Sequence, residues 1–194
     1  MEKKKTKLTF DGIEFDSQEE LDFFWWCQEA QTHGFIERFD YHPESYKLSA
    51  RASVKVLKEM KTKTKEVDKF LLHPHEYTPD FIIYATDRFG VLNHKLFSLD
   101  NLTFYIDVKG GFSIYNNERE FSLNQKWIWQ AYGIFINKLV PKAFFKQNFC
   151  PGRAAVTKTG KPRKHYDAMP SVFHALDFSE VVSPPVNFIK TSRI

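Results

Sequence analysis

The distribution of apolar and polar residues at the start of the chain predicts a short hairpin followed by an amphipathic helix. A hairpin is predicted over residues 7–15 because Asp11-Gly12 is a common tight-turn pair. Residues 17–20 have the form of a capping box, with Ser at the helix cap and Glu three residues later. Apolar residues at helical spacing follow, and Gly34 is a natural end for the helix.

The second half of the chain alternates strand and helix patterns. Two apolar, β-branched and aromatic runs, residues 77–84 and 103–110, predict buried strands. A helical pattern over 118–132 ends at Gly133, and a third short strand is predicted over 134–140. Because antiparallel strands come first and a helix then crosses to a strand that can lie parallel, we predict an α/β (α+β) fold. Its core would be a mixed sheet with a helix on each face.

Residues 51–69 fit two structures. They carry seven basic residues against three acids. Lys61, Lys63 and Lys65 alternate with threonines, and this period-two pattern favours a long basic hairpin. A helix over residues 54–60 is the alternative.

Asp107 and Lys109 are the charged residues of the strand predicted at 103–110. Side chains two apart on a strand lie on one face, so these two emerge together while Ile106 and Val108 face a core. A carboxylate can bind a metal ion, and an ammonium beside it can stabilise a negative group bound to that metal. The alternative is an edge strand with two solvated charges, which is the commoner meaning of an isolated Asp-x-Lys.

The composition bounds the setting of the protein. Its 194 residues are enough for one buried core and include 20 Phe, 8 Tyr and 4 Trp. Cys27 and Cys150 are too far apart to suggest a disulfide framework, which fits a reducing, cytoplasmic compartment. No apolar run approaches the roughly 18 residues of a membrane span, and no apolar segment of a signal peptide follows the amino terminus. We therefore expect a cytoplasmic protein with no membrane partner.

Acids and a lysine follow one another in a specific order: Glu20 on the first helix, Asp80 after a proline at a strand, and Asp107-Val108-Lys109 on the next strand. The two aspartates are separated by 26 residues. In this order and context, residues 8–140 resemble the PD-(D/E)XK nuclease superfamily. They are most similar to small phage and bacterial members, including Holliday-junction resolvases and transposon-end nucleases. The resemblance implies a restriction-endonuclease-like mixed β-sheet core flanked by helices, in a bacterial cell or a phage-infected host.

The same resemblance implies a metal-dependent active site. Glu20, Asp80 and Asp107 would be carboxylate ligands, together with the backbone carbonyl of Val108. Lys109 would orient the nucleophile or stabilise the charged transition state. Mg²⁺ is the expected ion, since hard cations prefer oxygen ligands and lower the pKa of an attacking water, and Mn²⁺ is expected to substitute.

Each of these residues has a plainer explanation. Glu20 completes the capping box in any case, and Glu19 is the neighbouring candidate ligand, although the spacing from Ser17 favours Glu20. Asp80 can be a charge at the start of a strand, and Lys109 a solvated lysine at the end of one. These explanations account poorly for the joint occurrence of the residues in this order.

Basic residues outside the motif predict contacts with a polyanion. Lysine and arginine bind phosphates with non-specific, salt-sensitive affinity, and the run between residues 153 and 164 contains no acid. A solvated charge run is the alternative. The predicted nucleic-acid contacts are Gln125, Lys126, Arg153, Lys158, Lys161, Arg163 and Lys164. We divide the chain into a nuclease core, residues 1–150, with a basic insertion at about 51–69, and a basic extension, residues 151–194, that ends in an appended tail.

These inferences together predict a metal-dependent DNA endonuclease that hydrolyses phosphodiester bonds. Structure-selective cleavage of branched DNA, as in Holliday-junction resolution during DNA recombination, is the first candidate. A transposase- or restriction-like double-strand nuclease is an alternative, and so is a non-catalytic DNA-binding or packaging protein that keeps the fold. Because one site cuts one strand, paired cuts favour a homodimer. The candidate interface residues, unless they fold back on their own core, are Phe144, Phe145, Phe149, Val172, Phe173, Leu176 and Phe178.

Overall fold

The structure, a computed structural model, describes residues 8–92, 95–110 and 117–181. Within these residues the protein is α+β, with a four-stranded mixed sheet, three two-stranded sheets and five α-helices. The strands are β1 (Leu8–Phe10), β2 (Ile13–Phe15), β3 (Ile36–Tyr41), β4 (Tyr46–Ser49), β5 (Ala52–Glu59), β6 (Thr64–Leu72), β7 (His75–Tyr77), β8 (Phe81–Ala85), β9 (Thr103–Val108) and β10 (Ile136–Leu139). The helices are α1 (Gln18–Thr32), α2 (Asn117–Tyr132), α3 (Pro141–Phe145), α4 (Gly152–Ala155) and α5 (Val172–Val181), with a 3-10 turn at Asp87–Val91.

Local sequence signals set the start of the fold. β1 and β2 form the predicted hairpin, and Asp11 and Gly12 both have the positive φ that a tight hairpin turn requires. The Ser17 hydroxyl accepts a hydrogen bond from the Glu20 backbone N–H at 3.1 Å, which confirms the predicted cap of α1. The chain leaves the helix through Gly34, whose φ of 71° favours glycine.

The central sheet has the strand order β10-β9-β8-β3. β8 pairs antiparallel with both β3 and β9, whereas β9 and β10 are parallel and are joined through α2. This is the mixed sheet that the sequence predicted, with the crossover at the predicted place. The carboxyl ends of β3, β9 and β10 and the amino end of β8 therefore meet at one edge of the sheet.

An aromatic core fills the space between α1 and one face of the sheet. Phe23 and Trp26 of α1 are fully buried and stack at 5.3 Å, and Phe81 of β8 packs edge-on against Phe23. Large side chains of this kind supply most of the apolar area removed from water. The core holds α1 rigidly against the strands that carry the acids.

The opposite face of the sheet is covered by β4, β7 and α2. The Tyr46 ring of β4 lies 6.4 Å from that of Tyr105 on β9 and 5.1 Å from that of Tyr132 on α2. β4 pairs with β7 as a separate antiparallel sheet. Since Asp107 lies on the same face as Tyr105 by strand alternation, this layer encloses it.

β5 and β6 form the long hairpin predicted for residues 51–69, so the alternative helix over 54–60 is wrong. Among the described residues, the two strands pair only with each other. Most of their side chains are exposed, including Leu57 at 74%. We call this pair the ribbon.

The carboxy-terminal segment continues the same core. Phe145 and Phe149 are fully buried, and Cys150, Ala154, Tyr166, Val172 and Ala175 are buried in the same apolar cluster. Of the candidate interface residues, Phe145, Phe149 and Val172 therefore fold back on their own core, which is the alternative that the sequence left open, whereas Phe173 is exposed. The side chain of Phe178 lies outside the described residues. The start of the predicted tail is also integral through Val172 and Ala175, while residues 182–194 lie outside the described residues. None of the described helices is long and apolar enough to cross a membrane.

Candidate active site

Asp80 and Asp107 face each other across two neighbouring strands. β8 and β9 pair antiparallel with Phe81 opposite Ile106, so the next position on each strand carries the two aspartates. Asp80 Oδ2 accepts a hydrogen bond from the backbone N–H of Val108 at 2.6 Å. The sheet register thus brings together two acids that are separated by 26 residues in the sequence.

The Asp80 carboxylate lies in an unfavourable environment for a negative charge. Burial raises its pKa to about 8, and the charge of Asp107, a hydrogen bond with Asp107 and the charge of Glu20 add to the effect, against the Val108 N–H. Two ionised carboxylates cannot lie here without compensation, so in the metal-free protein Asp80 is mostly protonated at neutral pH.

Lys109 supplies part of that compensation. Its Nζ lies 2.9 Å from each carboxylate oxygen of Asp107. Asp107 is only 4% exposed, and β9 is an internal strand of the sheet. The alternative interpretation of an edge strand with two solvated charges is therefore wrong. A buried charge pair of this kind is held by its surroundings and not by Coulomb attraction alone.

Glu20 is buried at the first turn of α1 and accepts more hydrogen bonds than a capping box requires. Its carboxylate accepts from the Ser17 hydroxyl at 2.7 Å, from the Tyr41 hydroxyl at 2.8 Å and from the Asp16 backbone N–H at 3.3 Å. Burial and the Glu20 carboxylate raise the pKa of Tyr41. Glu20 thus holds the start of α1 through the Ser17 hydroxyl and the Asp16 N–H, and its charge contributes to the raised pKa of Asp80.

Glu19 lies on the other side of the same motif. A Cβ atom on Gly110 would come within 3.3 Å of Glu19 Oε1, so the carboxylate sits directly against the turn that follows Lys109. A glycine at this position permits that close approach. Glu19 therefore lies beside the end of the strand that carries Asp107 and Lys109.

His42 and Asp16 join the site in a way that the sequence did not indicate. Ligand atoms of Asp16, Glu20 and His42 all lie within 4.8 Å of one another. His42 has a positive φ of 47°, and its backbone N–H donates to the Asp80 carbonyl at 2.9 Å. The turn after β3 brings His42 to Glu20 and Asp16, and no sequence motif marks a histidine in such a turn. The spacing of the acids therefore could not have identified His42.

Tyr77 of β7 carries a hydroxyl that is buried beside the acids. Burial and the negative charges of Asp107 and Asp80 raise its pKa. The hydroxyl lies next to the Asp107 carboxylate, yet within the described part of the chain it has no hydrogen bond of good geometry. Buried hydroxyls are almost always bonded, and the Asp107 carboxylate is the acceptor beside this one.

The donor set fits a hard divalent cation. Asp80 and Asp107 oppose each other at the ends of β8 and β9, and carboxylate oxygens are ligands that Mg²⁺ prefers. Among the described residues, the one set of three ligand atoms within 4.8 Å of one another is that of Asp16, Glu20 and His42, which leaves out both aspartates. Burial is the largest cause of the raised pKa of Asp80, and Asp107 and Glu20 add to it.

The other predicted site residues lie in several different environments. Gln125 Oε1 on α2 is buried and has no hydrogen-bond partner among the described residues, and Lys126 is exposed. Lys158, Lys161 and Lys164 are exposed, and the Arg153 guanidinium lies 5.0 Å from the Phe10 ring. Among the described residues, no hydrogen bond or ion pair joins any of these side chains to the acids.

Arg163 has a partner within the protein. Its guanidinium lies 2.8 Å from the buried carboxylate of Asp22 on α1, and the Tyr166 hydroxyl donates to the same carboxylate at 2.7 Å. Burial nevertheless raises the pKa of Asp22. Arg163 therefore ties the basic segment to α1, and this contact explains its position without any nucleic acid.

No family model, curated protein or solved structure matches this chain.

Proposed function

We propose that the protein is a metal-dependent DNA endonuclease of the PD-(D/E)XK type, with a restriction-endonuclease-like core. The observation that carries the proposal is the pairing of Asp80 with Asp107 across β8 and β9, with Lys109 bonded to Asp107 at 2.9 Å. The residues of the motif thus meet in space and not only in sequence order. Hydrolysis of a phosphodiester is the reaction that such a set performs best.

Each side chain has a distinct part in this reaction. Asp80, Asp107 and Glu20 would hold Mg²⁺ or Mn²⁺, with the Val108 carbonyl as a further donor. Bound there, the ion lowers the pKa of the attacking water and neutralises charge on the phosphate. Lys109 keeps a positive charge beside the reacting phosphate, and its bond to Asp107 fixes where that charge lies.

Tyr77 adds a hydrogen-bond donor at the same place. A tyrosine with an ordinary or raised pKa is protonated at neutral pH, so the hydroxyl can donate to a phosphate oxygen or to a water. A substrate phosphate satisfies both the hydroxyl and Lys109.

A non-catalytic DNA-binding protein is a weaker explanation of these features. Burying several carboxylates near one another costs stability, because the pKa of Asp80 is raised well above its value in an unfolded chain. A protein that only binds DNA gains nothing from that cost. Branched DNA is the first candidate substrate, with linear duplex as the alternative.

A cleavage assay tests the proposal. Full-length protein is incubated with Mg²⁺ and labelled linear duplex, single-stranded and four-way-junction DNA, with EDTA as the metal-free control. We expect cleavage by the wild type, preferentially of the junction, and none by Asp107→Asn. Glu37→Gln is the matched control, since Glu37 is exposed at the far end of β3. Cleavage by Asp107→Asn at the wild-type rate would remove the assignment of the site, and failure of the wild type to cut any of the three would remove the proposed function.

A further inference from the structure

The two faces of the ribbon differ in charge. Strands β5 and β6 pair in regular register from Ser53 opposite Phe70 to Glu59 opposite Thr64. Since alternate residues of a strand lie on opposite faces, the register assigns each side chain to one face of the ribbon. One face, here called the lysine face, consists of Val54, Val56, Lys58, Lys65, Val67 and Lys69.

The lysine face holds three lysines and, among these residues, all of which the structure describes, no acid. The acids of the two strands lie together on the opposite face, where Lys55 pairs with Glu66 at 3.1 Å. Glu59 and Asp68 share that opposite face. All the acids of the two strands thus lie on one face, together with Lys55, although basic and acidic residues are mixed along the sequence.

Lys58 and Lys65 stand directly opposite each other in the register. Like charges at directly opposed positions of an antiparallel pair destabilise it. The ribbon also lacks the support of a third strand among the described residues, and an isolated two-stranded ribbon is only marginally stable. An arrangement that costs stability in the free protein is explained if an anion lies across the two lysines.

The centre of the lysine face is apolar. Val56 and Val67 oppose each other and are half-buried, whereas most of the ribbon is exposed. Lysine stems cover apolar neighbours while the ammonium groups remain outside. The face is therefore a narrow apolar strip bordered by cations, which is complementary to a groove bordered by phosphates.

We propose that the lysine face of the ribbon binds the backbone of duplex DNA beside the major groove. A major groove of B-DNA, about 12 Å wide, admits a two-stranded ribbon, whereas the major groove of A-form RNA is too narrow for side chains to read. The lysines contact phosphates, and the valines face the groove. This inference rests on the proposed function only in that the same DNA is the substrate.

The ribbon is attached close to the candidate active site. β6 ends at Leu72, and β7 follows and carries Tyr77 to the acids. Five residues of extended chain span at most about 17 Å, and the eight residues of β5 extend about 26 Å. The ribbon thus reaches phosphates within about one to one and a half helical turns of the bond at the acids, since one turn is about 34 Å.

Equilibrium binding without metal tests the inference. Full-length protein in EDTA is titrated against a DNA duplex of about 30 base pairs, roughly three helical turns, over a range of salt concentrations. We expect Lys58→Gln/Lys65→Gln/Lys69→Gln to bind more weakly and to lower the slope of log K against log salt by about 2 to 3, since each phosphate contact contributes about 0.9. An RNA duplex of the same length should bind more weakly to the wild type and respond little to the variant.

Single variants on the two faces provide the matched control. Lys65→Gln and Lys55→Gln remove the same charge from opposite faces of the ribbon. Lys65→Gln should lower the slope by about one, and Lys55→Gln should leave it unchanged. Lys65→Gln should not lower the melting temperature, because it relieves the repulsion from Lys58. Equal slopes for the wild type and the triple variant would overturn the inference.

Two further outcomes separate this inference from the proposed function. A change of mass in light scattering on replacing the lysine face, with DNA affinity unchanged, would show that a second copy of the chain covers it and would overturn the inference. If the lysine-face variants weaken DNA binding but the wild type cuts none of the DNA substrates, the inference stands and the proposed nuclease function fails. If the wild type cuts DNA but the lysine-face variants bind it as the wild type does, the nuclease function stands and the inference fails.

Discussion

Asp80 and Val108 are joined by a 2.6 Å hydrogen bond from the Val108 backbone N–H to Asp80 Oδ2. This bond fixes an acid of one strand against the backbone between Asp107 and Lys109 on the next. The position is electrostatically costly, because burial, Asp107 and Glu20 raise the pKa of Asp80 to about 8. Between the pKa of an unfolded aspartate, about 3.9, and 8, the native state binds more protons than the unfolded state, so stability falls as pH rises.

Replacement of Asp80 by Asn should therefore stabilise the metal-free protein. The amide oxygen can still accept the Val108 hydrogen bond, while the charge is removed. We expect the free energy of unfolding in EDTA to rise by about 2 kcal/mol at pH 7, with the difference disappearing near pH 4. Urea unfolding of both proteins at several pH values measures this.

Two comparisons complete that test. Glu37→Gln, which removes one exposed charge, should change stability by less than about 0.5 kcal/mol at either pH. Mg²⁺ should raise the melting temperature of the wild type more than that of Asp80→Asn, since a cation that binds the native state stabilises it. If Asp80→Asn is less stable than the wild type at pH 7 in EDTA, the Asp80 carboxylate is not destabilised by burial and by the neighbouring acids.

The two glutamates of the capping box make different predictions. Glu20 accepts three hydrogen bonds, and a glutamine amide cannot accept at both of its terminal atoms. Glu20→Gln should lose about 1 kcal/mol of stability, and Glu19→Gln less. In the cleavage assay with Mg²⁺, the rate should fall further for Glu20→Gln, because Glu20 is the assigned ligand. If the rate instead falls further for Glu19→Gln, the third metal-binding carboxylate is that of Glu19, which lies against Gly110.

Local signals in the sequence predicted the elements around the site well. The capping box and the Asp11-Gly12 turn act within a few residues, so their geometry follows from the sequence alone. The alternation around Asp107 and Lys109 placed both on one face, and the structure agrees. In the ribbon, the period-two pattern predicted the strands correctly, but the segregation of charge depends on the register between them.

Contacts between distant parts of the chain were beyond such signals. Arg163 and Asp22 are separated by 141 residues, and nothing in either local sequence indicates the pair. Phe145 and Phe149 follow the last strand of the sheet, and only the packing of α1 shows that they belong to the core. The burial of the Tyr77 hydroxyl beside Asp107 is likewise a property of the assembled layers.

Arg163 should behave as a structural residue and not as a DNA contact. Arg163→Gln leaves the buried Asp22 carboxylate without its cation, so we expect a loss of about 2 to 4 kcal/mol at pH 7. The loss should shrink at acidic pH, where Asp22 becomes protonated and needs no cation. Urea unfolding measures both, with the exposed Lys164→Gln as the control. Unfolding of Arg163→Gln with the same free energy as the control would contradict the role of the pair.

The lysines of the basic segment remain candidates for DNA binding. Lys158, Lys161 and Lys164 are exposed, and replacing all three by Gln leaves the ion pair between Arg163 and Asp22 intact. If these lysines bind phosphates, the slope of log K against log salt should fall by about one for each phosphate-binding lysine that is replaced, whatever the DNA sequence. An unchanged slope would show that this run is only solvated.

Resolution of a junction, or a double-strand break, requires two cuts, and a two-fold symmetric dimer places two sites on one substrate. Since Phe145 and Phe149 are buried in the core, an interface must use other apolar surface. α2 provides it through Leu123 and Trp127, which lie one helical turn apart and are 50% and 46% exposed. We expect a dimer mass in light scattering at micromolar concentration with junction DNA, and a monomer mass for Leu123→Gln/Trp127→Gln. Phe173→Gln on α5, at 67% exposure, is the matched control and should remain dimeric. A monomeric wild type on the junction would remove the dimer and favour an enzyme that cuts a single strand.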